Sequence, residues 1–257
     1  MKILVSNDDG IGAEGIFQLA DALSEIGDVT IVAPLSEQSA VGHSITMKVP
    51  LRVSEYNLRN KFTGFAVNGT PADCVKFGIK NLLDSPPDIV VSGINHGSNT
   101  AISIIYSGTV SAAREAAIMD CPAIAFSLTS HKPTNFDFAK KVAKELTLKV
   151  LKHGLTKGTL LNVNIPHLPE NEIKGIIATQ QGNSKWADIY EKRIDPYGND
   201  YFWLTGEMID FDEDIKSDQI AIKNKYVAVT PVHFDLTDYK TFDELQKWDL
   251  SSIKFHS

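Results

Sequence analysis

Residues 1–34 read MKILVSNDDGIGAEGIFQLADALSEIGDVTIVAP, and the periodicity of this stretch decides the fold. The run ILVS at 3–6 is followed by the helical pattern GIFQLADALSEIG and by a second apolar run, VTIVAP, at 29–34. Two strand-length runs bracketing a helix make a βαβ unit with parallel strands. Further along, DIVVSG at 88–93 and AIAFSL at 123–128 alternate with the helical patterns PADCVKFGIKNLL and SGTVSAAREAAIMD. Strands that are nearly continuous apolar runs are covered on both faces, so the class is α/β, with a mostly parallel sheet between helical layers.

The remaining punctuation sets the organisation. Gly27 reads as a C-terminal helix cap, and Thr70-Pro71 places a capping hydroxyl before proline at the first helical position. PLRVSEYN and KFTGFAVN, within 49–68, read as an inserted β-hairpin; a long amphipathic helix is expected over 136–153, ending at Gly154, and LLNVNIP and GIIATQ read as strands. From about 181 aromatics mix with charges around a turn at Asp195-Pro196-Tyr197-Gly198, which fits either an irregular excursion or an arm that packs on a partner subunit. YVAVTPV at 226–232 returns to strand character and TFDELQKW to helix. One α/β domain is expected, with its core at about 1–180 and the arm and C-terminal segment at about 181–257.

The net charge of −7 leaves no field to gather phosphate polymers, so long nucleic acid is not expected as a partner. An acidic protein that handles anions must neutralise charge locally, with a metal cation or oriented backbone N–H groups. Cys74 and Cys121 have no metal-site spacing and read as buried thiols. No apolar run reaches membrane-spanning length and no signal peptide precedes the first strand, so a cytoplasmic location without membrane contact is expected.

Asn7-Asp8-Asp9-Gly10 follows the first strand. Ligands of open α/β sheets bind beyond the carboxyl ends of strands, and a bend at Gly10 lets both carboxylates converge on one hard cation, Mg²⁺ or Mn²⁺. An Asx-type turn or helix cap is the plainer alternative. Two further strand ends carry oxygens: Ser39 lies in Leu35–Thr46 and Asn95 in Ile94–Asn99, each a neutral donor beside the two acids. Ser107-Gly108-Thr109 opens the helix AAREAA, where backbone N–H groups and hydroxyls beside a permissive glycine suit a substrate phosphate; an ordinary cap is again the alternative. His43 and His96 fall in the same loops but read as hydrogen-bonded loop residues, while His131, His153, His167, His233 and His256 are scattered without zinc spacing.

NDDG, SEQSAVGHSIT, SGINHGSN and YSGTVSAAREA, in this order and spacing, resemble the SurE-type (stationary-phase survival protein) 5′/3′-nucleotidases, and the likeness runs on through NSKWADIYEKRIDPYGNDYFWLTG and SDQIAIKNKYVAVTPVHFDLT. The resemblance implies a Rossmann-like three-layer sandwich. It also implies a phosphomonoesterase for nucleoside 5′- and 3′-monophosphates, and possible action on short polyphosphate, with one divalent metal ion per subunit. By position, the metal ligands would be Asp8, Asp9, Ser39 and Asn95; the catalytic residues Asp8, Asp9 and Asn95; and the phosphate-binding residues Asn95, Ser107, Gly108 and Thr109. A homodimer or homotetramer with exchanged C-terminal segments is also implied, which fits the aromatic arm. TAISII at 100–105 departs from the family pattern by lacking its glycine and acidic residues, and bears on loop mobility and substrate preference. A phosphate-accepting signalling module, which also pairs acids after its first strand, would need an aspartate where Asn95 stands.

Overall fold

A computed structural model describes residues 1–253, so His256 lies outside the described residues. The sheet strands are β1 (Lys2–Ser6), β2 (Asp28–Pro34), β3 (Val53–Leu58), β4 (Phe62–Val67), β5 (Ile89–His96), β6 (Ala123–Leu128), β7 (Thr159–Ile165) and β8 (Gly175–Ala178). A hairpin of β9 (Lys185–Ile194) and β10 (Asp200–Ile209) follows, and β11 (Tyr226–His233) returns to the main sheet. The helices are α1 (Glu14–Leu23), α2 (Pro71–Phe77), α3 (Ser103–Tyr106), α4 (Gly108–Ile118), α5 (Asp137–His153), α6 (Asp218–Lys223) and α7 (Tyr239–Leu245).

The main sheet has nine strands in the order β3-β4-β2-β1-β5-β6-β7-β11-β8. All neighbours are parallel except β3 with β4 and β7 with β11. Strand alternation divides the core in two. Ile3 and Val5 face α1 and α5, packing with Ile16, Leu19, Val142 and Leu146, whereas Leu4 faces α2 and α4, packing with Val75, Val110 and Ala113. Small residues, Ala112, Ala113, Ala116 and Ala117, let α4 lie close to the sheet. Chain order runs outward from β1 through β2 and then resumes on the other side of β1 with β5, so the crevice at the ends of β1 and β5 is the topological switch point.

Local chemistry explains the boundaries. Thr70 and Asp73 form a reciprocal capping box with Pro71 at the first helical position, as the sequence predicts. Gly27 does not cap α1: the helix stops at Leu23, Ser24 donates its N–H to Ala20 at 2.9 Å, and Gly27 lies in the turn toward β2. The expected hairpin within 49–68 is β3–β4, joined to the main sheet by parallel pairing of β4 with β2. Both cysteines are free and buried. The aromatic stretch after 181 forms the regular two-stranded ribbon β9–β10, with Trp186, Tyr190, Phe202 and Trp203 exposed. The chain segment after the ribbon supplies β11, which sits between β7 and β8.

Gly15 lies in the first turn of α1 with the Ile94 carbonyl pressed against it: a Cβ there would stand 1.9 Å from that oxygen. Alanine normally favours a helix over glycine by about 0.5–1 kcal/mol. Gly15→Ala is therefore expected to lower the melting temperature in a thermal circular-dichroism scan, opposite to the helix-propensity effect. A rise would show that α1 and β5 are not held this close.

Candidate active site

The switch point is built by β1 and the loops that dock on its exit. Asn7 is buried and its Nδ2 donates to the Gly10 carbonyl at 2.9 Å, fixing a bend in which Gly10 has a φ of 95°. The second strand-end loop is tied to the same bend, because Gln38 N donates to the Asp8 carbonyl at 2.8 Å and Ile11 N to that of Pro34 at 2.8 Å.

Asp8 is 6% exposed, and its Oδ1 accepts the Thr109 hydroxyl. Burial pushes its carboxyl up to about 6, against the lowering effect of that hydrogen bond and with a smaller upward push from Asp9. Asp9 is also raised to about 6, chiefly by burial, while the His96 backbone N–H lowers it and the nearby Glu37 raises it. Asp9 Oδ2 is buried and has no hydrogen-bond partner. Among the described residues no Lys or Arg offsets the charge of either carboxylate. Two desolvated acids, one with an orphaned oxygen, are chemically suited to hold a hard cation.

The neutral donors are placed differently from each other. Asn95 is half-buried at the end of β5, and its Nδ2 donates to the Gly97 carbonyl at 2.8 Å, which leaves Oδ1 as its free acceptor. Ser39 is exposed and donates its hydroxyl to Glu37 Oε1 at 2.6 Å; it shares the loop that Gln38 ties to Asp8 but does not bond Asp8, Asp9 or Asn95. Among the described residues no group of three or more His, Cys, Asp and Glu side chains is placed to hold a metal ion.

The start of α4 faces Asp8. Ser107 is the helix cap, accepting Val110 N at 3.1 Å, which leaves its own proton to donate. Gly108 makes room for Asp8: a Cβ would lie 2.6 Å from Asp8 Cβ and 2.8 Å from Oδ2. The Thr109 hydroxyl is committed to Asp8 and Thr109 is fully buried, so it is not a free donor for an incoming phosphate. The backbone N–H of Gly108 remains at the helix N-terminus, where the dipole favours an anion.

His43 is a hydrogen-bonded loop residue, with Nε2 2.8 Å from Glu115 Oε2; Glu115 is 2% exposed on α4 and also pairs with Lys76 at 2.9 Å. Burial holds the His96 imidazole below its usual value, and its ring tilts against Phe136 at 5.8 Å. Two buried polar groupings behind the site were not foreseen. Asn162 and Asn164 donate to the Asn99 carbonyl at 2.7 and 3.1 Å, Asn164 accepts Asn99 N at 2.7 Å, and Asn99 Nδ2 donates to Ser127 at 2.8 Å. The signal was present in LLNVNIP, where two asparagines share one face of an apolar strand. The second grouping centres on Asp218, fully buried and bonded to backbone N–H groups.

Comparison with known proteins points to one family. The family model described as Survival protein SurE matches residues 3–188. The 5′-nucleotidase SurE of Chlorobaculum tepidum is 46% identical over 250 residues, covering 97% of this chain and 95% of that protein. The 5′-nucleotidase SurE of Syntrophobacter fumaroxidans is 49% identical over 250 residues, covering 97% and 100%. The crystal structure of the SurE protein from Aquifex aeolicus superposes with a TM-score of 0.84 at 41% identity, covering 96% of this chain and 98% of that one.

In the metal-free protein Asp8 is expected to titrate at about 6. Thr109→Val should move it higher still, because a hydrogen bond to the charged form is lost. Carbon-13 NMR of the side-chain carboxyl checks both values; an Asp8 that titrates in the ordinary carboxylate range would refute the burial described here.

Proposed function

The chain belongs to the survival protein SurE family and is a 5′-nucleotidase, and from this premise we propose how its site works. It hydrolyses nucleoside 5′-monophosphates, and 3′-monophosphates and short polyphosphate beside them, with one divalent ion per subunit, Mg²⁺ or Mn²⁺, held by Asp8, Asp9, Ser39 and Asn95. The observation that carries this reading is Asp9 Oδ2, buried without a partner beside a second desolvated carboxylate. When bound, such a cation supplies charge neutralisation and Lewis-acid stabilisation of the phosphoryl oxygens.

The chain's own residues orient the ester. Thr109 and Gly108 hold Asp8 in one rotamer, so the acidic pair is preorganised. The substrate phosphate lies against the N-terminus of α4, where the Gly108 N–H and the Ser107 hydroxyl donate to its oxygens without adding a charged side chain. Water adds to phosphorus as the ribose oxygen leaves, a transfer that asks mainly for positioning and charge stabilisation. The enzyme acts in the cytoplasm; among the described residues no helix is long and apolar enough to cross a membrane. The subunits assemble as a homodimer or homotetramer through the exposed aromatic ribbon and exchanged C-terminal segments. Light scattering is expected to give a dimer or tetramer mass, and a monomer across a wide concentration range would remove this part of the proposal.

A panel of nucleoside 5′- and 3′-monophosphates and tripolyphosphate, assayed after chelation and again with Mg²⁺ or Mn²⁺, tests the reading. Turnover that depends on the added cation is expected, and turnover unaffected by chelation defeats the proposal. Asp9→Asn should lose activity by about two orders of magnitude or more. Its stability effect has a defined sign: Asp9 is raised to about 6 in the folded protein, so its ionisation costs stability as pH rises through that value. The metal-free Asp9→Asn protein should therefore melt higher than the parent at pH 7, with the gain fading between about pH 6 and 4. Gly108→Val should lose cation affinity and turnover together, because its side chain would displace Asp8.

A further inference from the structure

Asn95 and the Ser107 cap are joined by the segment 96–106, which includes the unusual run TAISII. The middle of this segment is in a strained conformation. Ala101 has a φ of 48°, a region that non-glycine residues adopt at a cost, and it is fully buried. α3 springs from this point: Ile104 N donates to the Ala101 carbonyl at 3.3 Å, and Ser107 N then donates to the Ser103 carbonyl at 3.1 Å, which sets where the cap stands.

What holds Ala101 comes from far along the chain. Its N–H donates to both Asp218 oxygens, at 3.1 and 3.3 Å, and its carbonyl also accepts Gln181 Nε2 at 3.0 Å. Thr100 donates its hydroxyl to Gln219 Oε1 at 2.6 Å. The same carboxylate accepts the N–H of Gly182 at 3.1 Å and of Gln219 at 2.7 Å, and among the described residues no Lys, Arg or His pairs with it. A fully buried carboxylate satisfied by three backbone N–H groups is a rigid anchor, and it grips the segment between the two halves of the site.

We propose that Asp218 is a positioning residue of the nucleotidase: by holding Ala101 in its left-handed conformation it fixes α3 and so places Ser107 and Gly108 against the substrate phosphate. The inference rests on the function proposed above. Asp218 bonds neither Asp8 nor Asp9, and the Thr109 hydroxyl, inside α4, continues to hold Asp8, so loss of Asp218 acts on the Ser107 cap and the phosphate more than on the acidic pair.

The parent, Asp218→Asn, Asp218→Ala, the double variant Asp218→Ala with Ala101→Gly, and Gln219→Ala are compared. The measurements are kcat and KM on a nucleoside 5′-monophosphate with Mn²⁺, Mn²⁺ affinity by calorimetry, and melting temperature. Asp218→Ala is expected to lose about tenfold or more in kcat, since small misplacements of a reacting group are that costly, while Mn²⁺ affinity stays within about threefold. Asp218→Asn, which keeps one acceptor oxygen, should fall between it and the parent. Ala101→Gly should restore kcat severalfold in the Asp218→Ala background without raising the melting temperature, because glycine takes a positive φ freely. Parental kcat in Asp218→Ala overturns the inference, as does a loss that follows melting temperature with no recovery on Ala101→Gly. If Asp218→Ala does not fold, Gln219→Ala decides: reduced kcat at an unchanged melting temperature supports the inference and parental kcat overturns it. A parent without cation-dependent turnover overturns the working of the site proposed above and this inference with it, whereas an active parent with indifferent variants overturns only the latter.

Discussion

The close approach of α4 to Asp8 is the constraint on which the rest of the structure depends. A carboxylate this deeply buried needs hydrogen bonds from its surroundings, and Thr109 supplies one from 101 residues away along the chain. The approach is possible because Gly108 has no side chain and because the alanines of α4 let the helix sit low on the sheet. That height in turn brings the helix N-terminus level with the ends of β1 and β5. The same packing thus places two acids and one positive dipole end within one crevice.

Acid against acid would be a poor way to receive a phosphate dianion, and the arrangement makes sense only as a three-part balance. The carboxylates are desolvated and, among the described residues, no Lys or Arg acts on them, an arrangement suited to a small cation. The helix end favours the anion. With a net charge of −7, the molecule offers no general attraction for phosphates, so attraction for a phosphate has to be built locally.

Much of this was legible in the sequence because it is local. NDDG after a buried strand, neutral oxygens after two more, and a small-residue helix start are each visible within a few residues, and the βαβ rhythm places them at one sheet edge. Ser39 lies on a loop at that edge as expected, whereas Asn95 still belongs to β5, which runs on to His96, and has its amide pinned by the Gly97 carbonyl. What escaped was the work done by contacts across long stretches of chain. The Thr109 hydroxyl looked free for a phosphate because a helix start with glycine and hydroxyls suits that role; only the tertiary approach of Asp8, which takes that hydroxyl and needs the space at Gly108, shows otherwise. Asp218 lies in KSDQIAIKNK, just after the acidic, aromatic stretch, where it reads as an ordinary helix-start acid with no hint that its carboxylate is buried. Gly27 misled for the opposite reason: a local cap signal was overridden by a helix that closes at Leu23.

The insertion of β11 between β7 and β8 carries a consequence for biosynthesis. β8 pairs in the sheet only through β11, so it has no sheet partner while residues 226–233 are still inside the ribosome. Until then the outer edge of β7 is open as well, and an unpaired edge is a template for wrong pairing with other chains. The strands that bear the candidate ligands precede this step and are complete without it, while Asp218 emerges just ahead of it. A nascent chain therefore carries its acidic pair early and gains the anchor for Ala101 only near the end of translation, so a stalled or truncated product retains the acidic pair but lacks the anchor, and leaves a sheet edge exposed.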